Sequence, residues 1–202
     1  LEQPERDTSE DDMTPAPMLT RRERETVRKK NQTRSIIEWV VVIAAAIVIA
    51  LVLRTFVIQT FYIPSDSMVP TLQDHDRVVV NKLAYHMHSV HRGDIVVFTT
   101  PEGVNPTFKD LVKRVIGLPG ETVEGKGGHV YVNGKQLPET YLPKGVYTSD
   151  FGPVVVPANS YWVMGDNRGD SEDSRVFHAI PGHTIVGKVF VRIWPLNRIG
   201  LF

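Results

Sequence analysis

From Trp39 to Leu53 no side chain is polar, and Ile36, Ile37, Phe56, Val57 and Ile58 extend the run past interruptions at Glu38 and Arg54-Thr55. A helix of about 20 residues crosses a hydrocarbon core of roughly 30 Å, so residues 36–58 read as one transmembrane helix. A chain of 202 residues offers too little protein to cover a helix that is apolar all round. Glu38 and Arg54 fall near the ends, where a carboxylate can reach the headgroups and a guanidinium can snorkel. A buried core helix and a cleaved secretory signal are the alternatives. The second fits poorly with the long basic stretch that precedes the run.

That stretch, residues 21–34, carries Arg21, Arg22, Arg24, Arg28, Lys29, Lys30 and Arg34 against Glu23 and Glu25. The positive-inside rule therefore puts residues 1–35 in the cytoplasm and residues 59–202 outside the plasma membrane. Leu1 to about Thr20 is acidic, polar and proline-bearing, a composition that cannot offset its ordering entropy and is expected to be disordered. Over the whole chain 23 Lys and Arg balance 23 Asp and Glu, so no net field argues for a nucleic-acid partner. Cysteine is absent, which excludes a disulfide framework, a thiolate metal site and a cysteine nucleophile.

Beyond the apolar run the pattern turns to short β-branched and aromatic segments. They are Arg77–Leu83, Asp94–Thr100, Leu111–Ile116, His129–Leu137, Val154–Val156, Tyr161–Met164 and Thr184–Trp194, separated by Gly, Pro, Asn or Asp. Such segments without a long amphipathic helix predict a mainly β domain of antiparallel sheets or a partly closed barrel. Asn133-Gly134 between alternating segments predicts a two-residue hairpin turn, because both positions need positive φ.

Three clusters carry possible chemistry. Pro64-Ser65-Asp66-Ser67-Met68-Val69-Pro70 holds hydroxyls between two prolines that fix φ, which suits a preorganised nucleophile and equally suits an ordinary turn. A serine nucleophile needs a base. The histidines fall mostly in expected loops and have no diagnostic partner. Lys113 lies in the apolar segment Leu111–Ile116; strand alternation puts it with Leu111 and Val115, while Arg114 points the other way. Burial there would lower its pKa and let a neutral amine accept a proton. If the strand is an edge, the amine instead stands in water. The third cluster, Gly165 to Arg175, reads as a polar loop in which Asp173 and Arg175 can pair.

In this order the clusters resemble the bacterial type I signal peptidase family, through P-S-x-S-M-x-P-T-L at Pro64–Leu72, K-R-V-x-G-L-P-G at Lys113–Gly120 and G-D-N-R-x-x-S-x-D-S-R at Gly165–Arg175. The resemblance implies a β-sheet catalytic domain with a smaller β-subdomain, anchored by the N-terminal helix. It implies a serine endopeptidase that removes signal peptides from exported preproteins, with the lipid bilayer as its other partner and with no metal or cofactor. Ser67 would be the nucleophile and Lys113 the general base. Ser65 would help hold the oxyanion, Ser171 would orient the lysine amine, Gly165 would leave room beside the dyad, and Asp173 and Arg175 would shape the loop. Phe61, Ile63, Met68, Leu72 and Val112 match positions that line the family's shallow substrate pockets.

Asp66, Gly169-Asp170 and His178 depart from the family's commoner residues, and none of them is a catalytic position. The segment between the hairpin and residue 153 is short, so the second β-subdomain is expected to be small. A self-cleaving repressor-type Ser–Lys peptidase would share the dyad, but it calls for a helix-turn-helix rather than a membrane run. A non-catalytic tethered β-domain would not need Ser67, Lys113 and Ser171 together.

Overall fold

The computed structural model describes residues 21–52, 57–104 and 108–202; the expectation of disorder over residues 1–20 lies outside them. The chain divides into two units, Leu1–Ile49 and Ala50–Phe202. Helix α1 spans Arg21–Val52, and most of it lies in the first unit. Its side chains from Ile37 to Leu51 are exposed on every side, Trp39 at 66% and Ile43 at 55% among them. Among the described residues no helix is long and apolar enough to cross a membrane; the span expected at 36–58 runs into residues 53–56, outside them. Ile58, expected at the end of that span, is the first residue of a strand opposite Asn81.

The second unit is mainly β and antiparallel. Its strands are β1 (Ile58–Tyr62), β2 (Arg77–Asn81), β3 (Ile95–Thr99), β4 (Asp110–Gly117), β5 (Thr122–Lys126) and β6 (His129–Val132). They continue with β7 (Lys135–Gln136), β8 (Phe151–Val155), β9 (Ser160–Met164), β10 (Ile180–Pro181), β11 (Ile185–Trp194) and β12 (Gly200–Leu201). Short helices α2 (Ala84–Met87) and α3 (Ser174–Phe177) and 3-10 turns at Gly182–Thr184 and Leu196–Arg198 complete the set. Among the described residues the larger sheet runs β1-β2-β11-β3-β4-β9-β10, with β12 beside β11, and the smaller runs β7-β6-β5-β8. The expected hairpin forms between β6 and β7, with Asn133 at φ 51° and Gly134 at φ 75°.

Strand alternation lets the larger sheet bury both faces. Ile95 and Val97 of β3 join Ile63, Met68, Leu72, Val78, Val80 and Val189 on one face. Val96 and Phe98 join Val115, Val163 and Ile180 on the other. A third cluster, built on Ile116, Trp162 and Met164 with Val123 and Val130, ties the smaller sheet to β4 and β9. Strands buried on both faces read as continuous apolar runs, which is why Ile95–Phe98 shows no polar alternation. Register shifts in β11 at Val189/Val191 and Arg192/Trp194 add twist where bulges re-aim the strand.

Candidate active site

The connection from β1 to β2 folds as a braced loop. Ile63, Met68 and Leu72 are its buried anchors, all under 3% exposed, so the residues between them are held out from the core. Met68 and Leu72 are further linked by a backbone hydrogen bond. Arg192 donates to the Thr71 carbonyl at 2.7 Å. At the loop's foot the buried Asp76 pairs with Arg192 and Arg198. The loop presents Ser67, with the Ser65 hydroxyl 3.3 Å from the Ser67 Oγ.

Lys113 comes from the middle of β4, opposite Val96 on β3. Its residue neighbours on the same strand face, Leu111 and Val115, belong to one apolar cluster, whereas Val112 packs on the other. Lys113 is 3% exposed, and its Nζ donates to Ser67 Oγ at 2.6 Å. Burial lowers its pKa from the usual lysine range to about 8, against the opposing pull of Asp173, Glu172 and Asp166. Desolvation disfavours the ammonium form, so this amine can accept a proton from a hydroxyl that it already touches.

The segment after β9 closes the site. Asp173 caps α3 and is fully buried. Its Oδ2 accepts from Gly165 N–H at 3.0 Å and from Arg175 at 2.8 Å, and its Oδ1 accepts from Arg175 Nε at 2.8 Å. The expected Asp173–Arg175 pair is therefore formed, in a forked, charge-assisted geometry. A side chain on Gly165 would collide with Ser171 Oγ and with the Ser67 carbonyl; the bare Cα lets the two segments touch. Asn167 N–H donates to that same carbonyl at 3.1 Å.

Two expected placements are not found among the described residues. The buried hydroxyl of Ser171 makes no hydrogen bond to the Lys113 amine, whose Nζ donates to Ser67. Leu72 is not among the residues lining the cleft at Ser67. It is 0% exposed within the core cluster, where its side chain serves to anchor the loop. Phe61, Ile63, Met68 and Val112 do line a predominantly apolar cleft that ends at Ser65, Ser67 and Lys113. Phe108 and Leu111, which the sequence motifs left out, also line it, with Tyr62 and Pro64.

Sequence reasoning also missed the partners of Arg114. It leaves β4 on the face opposite Lys113 and makes a forked pair with Asp166, Nε to Oδ1 at 2.8 Å and Nη2 to Oδ2 at 2.6 Å. The Thr71 hydroxyl donates to the same carboxylate at 2.5 Å. Arg114 is 7% exposed and Asp166 1%, so the pair is buried and links β4, the loop of Ser67 and the Gly165 segment. A charged residue in a motif was the available signal, but nothing local names its partner. Among the described residues no cluster of His, Cys, Asp and Glu could hold a metal ion.

Residues 36–194 match the family model described as signal peptidase, peptidase S26. Signal peptidase I of Leptolyngbya laminosa is 45% identical over 169 residues, 82% of this chain and 83% of that protein. Signal peptidase I S of Bacillus subtilis is 44% identical over 161 residues, 75% and 83% of the two chains. Signal peptidase IB of Staphylococcus aureus is 39% identical over 182 residues, 82% and 93%. A solved structure of a signal peptidase I from Enterococcus faecalis aligns at 35% identity with a TM-score of 0.43, covering 50% of this chain and 97% of that one. With a family match over most of its length and relatives this similar across most of theirs, the chain belongs to the signal peptidase family, peptidase S26.

Proposed function

We propose that this chain is a membrane-anchored serine endopeptidase that removes N-terminal signal peptides from exported preproteins, using a Ser67–Lys113 dyad. The observation that carries the reading is the 2.6 Å hydrogen bond between a buried lysine amine and Ser67 Oγ. The preprotein lays an extended segment along the apolar cleft, beside β1, with small side chains facing Phe61, Ile63, Met68 and Val112. Neutral Lys113 takes the Ser67 proton as Oγ attacks the scissile carbonyl. The developing oxyanion is held by the Ser67 N–H and the Ser65 hydroxyl, donors of a kind worth about 3 kcal/mol each.

Lys113 then gives its proton to the leaving amine, and the mature protein departs with a free N-terminus. The acyl-enzyme that remains is an ester at Ser67. Lys113 next deprotonates a water that attacks this ester, and the signal peptide leaves as a carboxylate. No metal or organic cofactor enters either half of the cycle. The apolar run that begins at Ile36 and ends before Ile58 of β1 anchors the enzyme in the plasma membrane, with residues 1–35 cytoplasmic and the β-rich unit outside, where exported preproteins emerge.

Purified full-length protein in detergent should cleave a preprotein, and Ser67→Ala and Lys113→Ala should each lower kcat by at least about 10³-fold. Cleavage retained near the wild-type rate in either variant would sink the dyad.

A further inference from the structure

Two buried guanidinium groups flank the dyad, and both are gripped by the segment between β7 and β8. The first is Arg168, 2% exposed. Its Nε donates to the Gly165 carbonyl at 3.0 Å. Its Nη1 donates to Glu139 Oε2 and to Thr148 Oγ1, both at 2.9 Å, and its Nη2 to Glu139 Oε1 at 2.5 Å. The second is Arg114, the neighbour of Lys113, whose Cζ lies 4.0 Å from the centroid of the Tyr141 ring. The Tyr141 hydroxyl donates to Glu139 Oε1 at 2.6 Å, which joins the two grips.

Each grip ends on the site. Arg168 pins the carbonyl of Gly165 while Asp173 pins its N–H, and Gly165 is the point where Ser67 and Ser171 crowd together. Arg114 holds Asp166, and Asp166 holds Thr71 in the loop of Ser67. A fork of charge-assisted hydrogen bonds has a defined geometry, and a guanidinium over a tyrosine face adds attraction that grows when the pair is desolvated. Neither Glu139 nor Tyr141 falls in the three motifs, and neither contacts the dyad.

We infer that Glu139 and Tyr141 are positioning residues of the peptidase site, which clamp Gly165 and Arg114 from the smaller sheet and so hold Ser67 and Lys113 in register and Lys113 out of water. The inference rests on the peptidase reading above. A misplacement of about 1 Å at reacting groups costs on the order of 10²-fold in rate, so a clamp distant from the chemistry acts on kcat rather than on substrate binding.

The test uses the full chain on a preprotein with alanine at the first and third positions before the cut. It compares wild type, Glu139→Ala, Glu139→Gln and Tyr141→Leu for kcat and KM across pH. Folded fraction is read by near-UV circular dichroism, and the Lys113 amine is titrated by NMR in lysine-labelled protein. Glu139→Ala and Tyr141→Leu should lower kcat about tenfold or more with KM within about twofold. Their Lys113 titration should move to higher pH as water enters. Glu139→Gln keeps the volume and one acceptor, and should recover part of kcat. Folded variants with wild-type kcat and an unmoved Lys113 titration overturn the clamp, as does a loss that merely tracks the unfolded fraction. Should Glu139→Ala not fold, Tyr141→Leu decides by the same readings. Failure of the wild-type chain to cleave overturns the peptidase reading, and the Lys113 titration then still decides the clamp.

Discussion

Lys113 acquires its chemistry from where β4 puts it. A lysine at a strand edge keeps its ammonium in water; at 3% exposure beside Ser67 the same side chain has a pKa lowered to about 8. The neutral amine is the active form, so peptidase activity should be low well below pH 8 and rise as pH passes through that value. A profile of kcat/KM against pH that stays flat from about pH 6 to 10 would contradict this. Strand alternation put Leu111 and Val115 on the face of Lys113 and so made burial one of two readings in the sequence, the other being an edge-strand amine in water. The neighbours of Gly165 were not legible. That glycine is needed because Ser67 O and Ser171 Oγ converge on it from segments remote in the chain, and no local pattern encodes such a meeting.

At the level of elements, β4 delivers successive basic side chains to opposite faces of one sheet, one whose pKa is lowered by burial and one paired with a buried carboxylate. Removing one partner of a buried ion pair strands the other, at a cost of about 3–5 kcal/mol. Asp166→Ala should therefore destabilise the second unit by about that amount in urea unfolding, with activity lost through Thr71 and β4 together. A midpoint within experimental error of wild type would refute the brace. Two strands rich in β-branched residues read closely from sequence: the segment Asp94–Thr100 holds β3 at Ile95–Thr99, and Thr184–Trp194 holds β11 at Ile185–Trp194. β5 escaped because Thr122–Lys126 has a single valine and a glycine; Gly125 is there to clear the Phe151 ring. β1 escaped because its start was absorbed into the preceding apolar run. Ion-pair partners such as Glu139 for Arg168 escaped for a different reason: charge has no periodicity that points to a distant element.

On the scale of the whole chain, residues 37–51 leave an apolar surface exposed around α1, a cost of about 25 cal/mol for each Å² left in water. If this segment is the bilayer anchor, the full chain should remain with phospholipid vesicles after alkaline carbonate washing, whereas residues 57–202 alone should be released to the supernatant. Release of the full chain would remove the anchor. The order β2-β11-β3 bears on how such a protein comes into being. Ser67 belongs to the β1–β2 side of β11 and Lys113 to the β3–β4 side, and without β11 no ladder of hydrogen bonds joins the two. Ser67, Lys113 and the Gly165–Arg175 segment all precede β11 in the chain, yet the two halves of the sheet cannot be zipped together until it arrives, and long-range pairing of this kind is slow to form. On the dyad reading proposed above, nucleophile and base would stay parted until β11, almost the last strand, is inserted between them.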